Sequence, residues 1–224
     1  MKKLLFFTVV VFILVFSLAS SASAQNPLEL GVHAGYNSSN ASFDADPFTG
    51  PGISKSSGSG FWVGGVAELA VSDLLAITTE PRYIQYGLQV QTTSLGQMAT
   101  VNTKLGYLEI PLFLKARVGS DYLKFFAFTG PSVGFRLSAT EDVDFAGQTS
   151  QLTDIKDQFK SASFGAAFGG GIEYQIAPGI AFVVDARYSR DFSNVSSAPA
   201  GATPNPSIKY YGIQIGGGLT FAVR

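Results

Sequence analysis

The residues best suited to chemistry in this sequence are acidic and basic side chains placed two positions apart inside apolar segments. Glu80 precedes Arg82 by two residues, and Asp185 precedes Arg187 in the same way. In a β-strand this spacing puts both side chains on one face, close enough to form an ion pair. The same pairs could serve acid–base chemistry or a path for cations, but structural ion-pair networks use the same groups. The spacing therefore predicts a structural network as the first interpretation.

Further charged residues recur on the same faces, and we expect them to form one polar network in an enclosed interior. A charge that loses its hydration persists there only when it is paired and hydrogen-bonded. The residues predicted for this network are Glu68, Glu80, Arg82, Glu109, Lys115, Arg117, Arg136, Glu173, Asp185 and Arg187. Counting from the strand ends predicts a common height for Glu80, Arg82, Glu173, Asp185 and Arg187.

His33 is the only histidine of the chain, which contains no cysteine. A Ser–His–acid site needs a hydroxyl and an orienting carboxylate within hydrogen-bond reach of the imidazole. Serines follow within 38–59, but in a low-complexity stretch, and the sequence has no G-x-S-x-G motif. We therefore expect a structural, hydrogen-bonded histidine and no enzyme, with a catalytic His33 as the alternative.

The acidic residues Glu141, Asp142 and Asp144 could bind calcium, because carboxylates are its usual ligands. They lack the spacing and the glycine of an EF-hand loop, so a solvated loop is the expectation. One histidine without cysteines also argues against a zinc site. No metal ion and no cofactor are predicted.

The composition is that of an envelope protein. Only 14% of the residues are charged, against roughly 25% in an ordinary soluble domain, and 46% are hydrophobic. The net charge of −1 and the absence of a basic stripe argue against a nucleic-acid partner.

The N-terminal residues 1–24 resemble a secretory signal peptide. Lys2 and Lys3 precede an apolar run at 4–18, and the small residues at 21–24 suit a signal peptidase. The run is shorter than the ~20 residues of a membrane-spanning helix, which disfavours a retained anchor. We expect cleavage after Ala24, which leaves one β-barrel domain at 25–224.

From Leu28 onward the apolar residues alternate with polar ones, which is the pattern of half-buried β-strands. The pattern predicts an all-β chain of eight antiparallel strands at 28–38, 60–70, 75–87, 104–118, 123–137, 163–176, 180–192 and 208–221. The side chains predicted to face lipid are Leu108, Ile110, Leu112, Leu114, Phe182, Val184, Ile213 and Ile215.

Three features favour an up-and-down transmembrane barrel over a secreted soluble β-protein, which stays open as the alternative. The polar face is rich in glycine, which suits a narrow lumen better than a solvent face. An eight-stranded barrel has an interior too small for the bulky apolar face, which must therefore point outward. Short connections at 71–74, 119–122 and 177–179 alternate with long ones, as in outer-membrane barrels. The long connections predicted as outer loops are 39–59, 88–103, 138–162 and 193–207.

One of these loops carries its own pattern. Leu152, Ile155 and Phe159 have helical spacing, which predicts a short amphipathic turn lying over the barrel mouth.

Several segments resemble a known family. They are Tyr107-Leu108-Glu109-Ile110-Pro111-Leu112-Phe113-Leu114-Lys115, Phe128-Thr129-Gly130-Pro131-Ser132-Val133-Gly134 and Gly169-Gly170-Gly171-Ile172-Glu173-Tyr174. The chain is similar to the small outer-membrane β-barrels of Bacteroidetes, which include PorT-like proteins. The resemblance implies an OmpA-like eight-stranded barrel in a Gram-negative outer membrane, and PorT-like members are linked to secretion.

We therefore expect a non-enzymatic, integral outer-membrane barrel with a structural role or an interaction role through its outer loops. The expected partners are outer-membrane lipid and proteins of the envelope or of a secretion complex. An accessory role in protein secretion is the alternative, followed by a lipid-acting barrel enzyme and a small-ion channel.

Overall fold

The computed structural model describes residues 28–44, 50, 52–94, 97–145, 148–150, 152–197 and 207–223. The predicted signal peptide at 1–24 lies outside these residues, as does most of the predicted loop 193–207.

The described chain consists almost entirely of β-strands. In chain order they are β1 (Leu28–Phe43), β2 (Ile53–Ala70), β3 (Leu75–Thr79), β4 (Arg82–Ser94), β5 (Gln97–Gly119), β6 (Leu123–Phe145), β7 (Gln148–Thr149), β8 (Thr153–Asp154), β9 (Ala162–Ala177), β10 (Ile180–Asp191) and β11 (Ile208–Val223). One turn of 3-10 helix, Lys156–Gln158, follows β8. No helix in the described ranges is long and apolar enough to cross a membrane.

The long strands close into a barrel in which each pairs antiparallel with its neighbours. β1 pairs with β2 on one side and with β11 on the other, so the first and last strands seal the ring. β3 and β4 together occupy one strand position of the barrel, between β2 and β5, and this strand is interrupted at Glu80 and Pro81. Proline has no N–H to donate to the ladder, which explains the interruption. The predicted eight-stranded antiparallel barrel is confirmed.

The connections at the end that holds both described termini are tight. β9 and β10 are joined by Pro178 and Gly179, and Gly179 has φ +77°. A proline followed by a residue with positive φ is typical of a type II turn, which favours glycine at that position. Because outer-membrane barrels have their short turns at the periplasmic end, and the sequence predicts such a barrel, we label this end periplasmic and the opposite end external.

The strands at the external end are longer than predicted, which corrects three of the four outer loops. β4 runs to Ser94 and β5 begins at Gln97, so the predicted loop 88–103 is almost entirely a hairpin. β1 and β2 likewise take up much of 39–59, and β6 takes up 138–145. Side chains also alternate in these segments, but here the apolar ones face the lumen and the polar ones face outward. Leu88 and Val90 point inward and are buried, while Gln89 and Gln91 point outward. The sequence interpretation identified strands by an apolar outer face, so it missed strand segments whose outer face is polar.

Candidate functional site

The barrel interior collects most of the charged residues, and its central layer is built around two arginines. Arg187 donates from Nη1 and Nη2 to the two carboxylate oxygens of Glu80, at 3.0 and 3.2 Å. Its Nε and Nη2 donate to Asp185 at 2.8 and 2.9 Å. Arg82 donates to Glu109 from Nε and Nη2, at 2.9 and 2.7 Å, and to Glu80 at 3.3 Å. All five side chains are buried, so these ions exchange hydration for one another.

Trp62 completes this central layer and explains its glycines. The Cζ atoms of Arg187 and Arg82 lie 4.8 and 5.3 Å from the centroid of the Trp62 ring, within the range of cation–π contacts. A Cβ on Gly35 would come within 2.7 Å of the indole, and one on Gly216 would overlap it. The glycines at these two positions therefore make room for a large aromatic side chain inside a narrow barrel.

His33 lies at the edge of the central layer. Its Nδ1 is 3.4 Å from Oε2 of Glu80, and the ring is buried. Neither ring nitrogen has a hydrogen-bond partner among the described residues, so the hydrogen bond expected of this histidine is not formed there and its polar contact is the one with Glu80. The histidine faces a carboxylate that is already held by two arginines, so this carboxylate is committed to the ion-pair layer.

A second ionic layer lies nearer the periplasmic end. Lys115 donates to Glu68 at 2.8 Å and to Glu173 at 3.3 Å, and Arg117 donates to Glu68 at 3.0 Å. Glu29 lies 3.6 Å from Arg117. Positive and negative groups thus alternate around the lumen, so the layer carries little net charge.

Three carboxylates of this second layer have the spacing of a cation site. Oxygens of Glu29, Glu68 and Glu173 lie within 4.8 Å of one another. The ammonium of Lys115 already bridges two of them. This lysine supplies the positive charge that a metal ion would bring.

Phenyl rings separate the two ionic layers. Phe113 and Phe128 have ring centroids 4.8 Å apart, and Phe126 stacks on Phe128 at 6.1 Å. Next to them lies a cavity of about 30 Å³, lined in part by His33 and Asp185. A cavity of this size has room for one or two water molecules.

The external half of the lumen contains a large apolar cluster, which the sequence interpretation did not foresee. Its buried side chains form one cluster, which we call the plug: Ala41, Trp62, Ile84, Tyr86, Leu88, Val90, Leu105, Tyr107, Ala139, Ile155, Phe159, Val195 and Tyr210. The ion-paired layers therefore lie in the periplasmic and central parts of the barrel, and the external part combines apolar side chains with buried polar ones such as Asn37, Gln214 and Asp191. Alternation indicates which residues lie on the same face of a strand. It does not indicate that the inner face changes from charged to apolar along one strand.

The segment 152–161 covers the plug, and we call it the lid. Ile155 and Phe159 are buried in the plug, whereas Leu152 is 67% exposed, so the predicted amphipathic face has two members and not three. Arg136 holds the lid by donating to the carbonyls of Phe159 and Lys160, both at 3.1 Å. At the outer surface of the lid, hydrogen bonds from Lys156 hold the pKa of Asp154 below its ordinary value.

The predicted network residues fall into three groups in the structure. Glu80, Arg82, Glu109, Asp185 and Arg187 form the central layer, and Glu68, Lys115, Arg117 and Glu173 belong to the second layer. Glu173 therefore does not share the height of Glu80, because tilted strands offset residues that are equally far from a turn. Arg136 has no carboxylate partner among the described residues and binds the lid instead.

Asp191 is a buried acid that the sequence interpretation missed. It ends β10 on the same inner face as Asp185 and Arg187, and it is 7% exposed. The described residues include no ion-pair partner for it. The period of two that identified Asp185 could have identified this residue as well.

The three acidic residues suggested for calcium do not lie on one face of the barrel wall. Glu141, Asp142 and Asp144 lie in β6, where successive side chains point to opposite faces. Asp142 accepts a hydrogen bond from Asn102 at 3.0 Å. They belong to a strand and not to the expected solvated loop.

The outer surface carries an apolar belt. The eight side chains predicted to face lipid point outward, and Leu112 and Leu114 are each 54% exposed. Phe61 and Tyr83, whose rings lie 5.6 Å apart, stand at the external margin of this belt. Aromatic side chains at such a margin are typical of a membrane interface.

Residues 19–197 match the model of a protein family described as "Outer membrane protein beta-barrel domain". The chain belongs to this family. As an outer-membrane β-barrel it resides in the outer membrane. Comparison with curated protein sequences found no match.

Comparison with solved structures finds outer-membrane proteins of low sequence identity that are similar to this family member over most of its length. Neisserial surface protein A is 14% identical, with 88% of this chain and 97% of that chain covered and a TM-score of 0.47. OprG from Pseudomonas aeruginosa is 15% identical, with 89% and 95% covered and a TM-score of 0.45. Ail of Yersinia pestis is 14% identical, with 86% and 98% covered and a TM-score of 0.40.

Proposed function

We propose that this protein is a closed, non-catalytic barrel that presents its external end to another protein of the cell envelope. The observation that carries the first part is the bidentate pair of Arg187 and Glu80, which joins β10 to the opposite wall of the barrel. Together with the phenyl rings and the plug, it fills the lumen with side chains. A solute path along the axis would have to break several buried ion pairs.

The environment of His33 supports a structural role over catalysis. A catalytic histidine needs a nucleophile or substrate proton within reach. Here the imidazole faces Glu80, and that carboxylate is held by Arg187 and Arg82. The group that would orient the base is thus engaged in holding the barrel together.

Exposed apolar side chains at the external tips support an interaction role. Met98 on β5 and Phe145 on β6 are 56% and 49% exposed, and Phe145 pairs with Ala99, the next residue after Met98. Successive side chains of a strand point to opposite faces, so Phe145 lies on the face opposite to Met98 at the external rim. Apolar side chains exposed at this rim suit contact with a protein better than contact with a polar polymer.

Two measurements test the two halves of the proposal. In planar bilayers the purified protein should show no unitary conductance, and stable channel openings would contradict a closed lumen. A photo-crosslinking amino acid at Met98 should yield a discrete protein adduct in native membranes. The same probe at Tyr122, exposed at the periplasmic end, is the control. The identity of the adduct also tests the PorT-like resemblance, since a secretion component would favour that role.

A further inference from the structure

A row of four polar side chains crosses the outer face of the barrel at its external end. Ser56 Oγ donates to Gln89 Oε1 at 3.0 Å, and Gln89 Nε2 donates to Asn102 Oδ1 at 2.9 Å. Asn102 Nδ2 then donates to Asp142 Oδ2 at 3.0 Å. The chain of bonds fixes which way each amide points, so the row is an ordered surface of donors and acceptors across four strands.

A groove of about 260 Å³ runs beside this row. Its floor includes Gly58 and Gly87, whose backbones approach so closely that a Cβ on Gly87 would come within 2.9 Å of Gly58 Cα. β2 carries an extra residue between Ser57 and Trp62, which interrupts its regular ladder with β4. The lining residues are Ser57, Gly58, Ser59, Gly87, Leu88, Gln89, Asn102, Thr103, Lys104 and Asp142.

The groove lies just beyond the apolar belt. Ser59 is two residues from Phe61 on the outer face of β2, which is about 7 Å along a strand. Phe61 and its neighbour Tyr83 mark the external margin of the lipid-facing surface. A molecule in the groove would therefore sit at the level of lipid headgroups, with its acyl chains against the belt below.

We propose that this groove binds the sugar headgroup of a glycolipid of the outer leaflet. A sugar ring offers hydroxyls that both donate and accept, and the groove supplies serine hydroxyls, oriented amides and the carboxylate of Asp142 for them. Lys104 is exposed in the groove and forms no ion pair with a described residue, so its ammonium is a further donor. Asp142 disfavours a headgroup made of phosphate alone, because it would repel the anion.

The size of the groove agrees with one sugar ring. Pockets that enclose drug-sized ligands have volumes of roughly 300–1,000 Å³. At about 260 Å³ this groove is smaller than those pockets.

Native mass spectrometry of the full chain can test the proposal. The protein is reconstituted in nanodiscs of phosphatidylethanolamine that contain roughly 10 mol% of a monoglucosyl diacylglycerol. The phospholipid is then in roughly tenfold excess over the glycolipid. We expect the protein released from these discs to retain the glycolipid in preference to the phospholipid. Asn102→Leu and Gln89→Leu should each lower that retention about tenfold, the loss expected when about 1.4 kcal/mol of hydrogen bonding is removed.

Gln91→Leu is the matched control, because Gln91 lies two residues further along the same strand and face but outside the groove. It should retain the glycolipid as the unchanged protein does. Equal retention of glycolipid and phospholipid would overturn the proposal, and so would an equal loss in all three variants. Folding of each variant is verified by its migration on detergent gels before and after boiling.

Discussion

Arg187 and Glu80 are 107 positions apart in sequence, yet two hydrogen bonds of 3.0 and 3.2 Å join them across the barrel. The strand that carries Arg187 lies four of the eight strand positions away from the strand interrupted at Glu80, so the pair spans the diameter of the barrel. A tie of this kind fixes the distance between opposite walls in a way that hydrogen bonds between neighbouring strands do not.

Replacing Arg187 by alanine should destabilise the barrel by up to about 3–5 kcal/mol, because Glu80 and Asp185 would remain buried without their partner. The measurement is urea unfolding in detergent, followed by the change in gel migration. Lys156→Ala is the control, since its pair with Asp154 lies at the surface. An unfolding curve of Arg187→Ala that coincides with that of the unchanged protein would contradict the bracing role.

Ile110→Arg should cost about 2–4 kcal/mol and impair membrane insertion, because it places a charge on the lipid-facing surface. Thr100→Arg is the matched control, ten positions away on the same strand and the same face but at the external end. Quantifying both variants in the outer-membrane fraction gives the comparison. If the two proteins insert equally well, the belt has been assigned to the wrong face.

Phe159→Ala should loosen the lid, since removing a buried phenyl ring costs about 3–5 kcal/mol where the site cannot collapse. Hydrogen exchange provides the measurement: the Lys160 amide donates to the Val195 carbonyl at 2.8 Å and should lose protection. Leu152→Ala, in the same segment but exposed, should leave that amide protected. Unchanged exchange in Phe159→Ala would mean that Arg136 holds the lid without the plug.

Gly216→Ala should destabilise the protein by about 1–3 kcal/mol, because the added methyl group meets the Trp62 ring and the carbonyl of Ala34. Gly65→Ala is its control, since a Cβ there has open space, with its nearest neighbour 3.9 Å away. Thermal unfolding in detergent compares the two. A Gly216→Ala protein as stable as Gly65→Ala would show that the indole can shift at little cost.

The alternation of side chains was sufficient to predict the barrel and to bring Glu80, Arg82, Asp185 and Arg187 to one inner face. Asp185 and Arg187 are two residues apart within β10, and Glu80 and Arg82 keep the same spacing across the short interruption between β3 and β4, so local geometry decides the outcome. Glu173 was misplaced because its height depends on the tilt and stagger of strands, which one strand's sequence does not contain.

The plug and the partner of Arg136 were missed for a different reason. Leu88, Val90 and Leu105 share faces with charged residues further down the same strands, and alternation alone does not reveal where along a strand the inner face changes from charged to apolar. The Arg136 side chain donates to backbone carbonyls of the lid. Every residue has a backbone carbonyl, so the sequence does not indicate which ones accept a hydrogen bond from a side chain.

The seam between β1 and β11 has a consequence for biogenesis. The first strand has its full set of partners only after the last one has been synthesised, because β11 pairs with all 16 residues of β1. Until then two strand edges lack main-chain partners, and hydrocarbon offers none. A polypeptide that stops before β11 should therefore not form a stable smaller barrel in the membrane. The cell must keep the incomplete chain from aggregating until β11 has been synthesised.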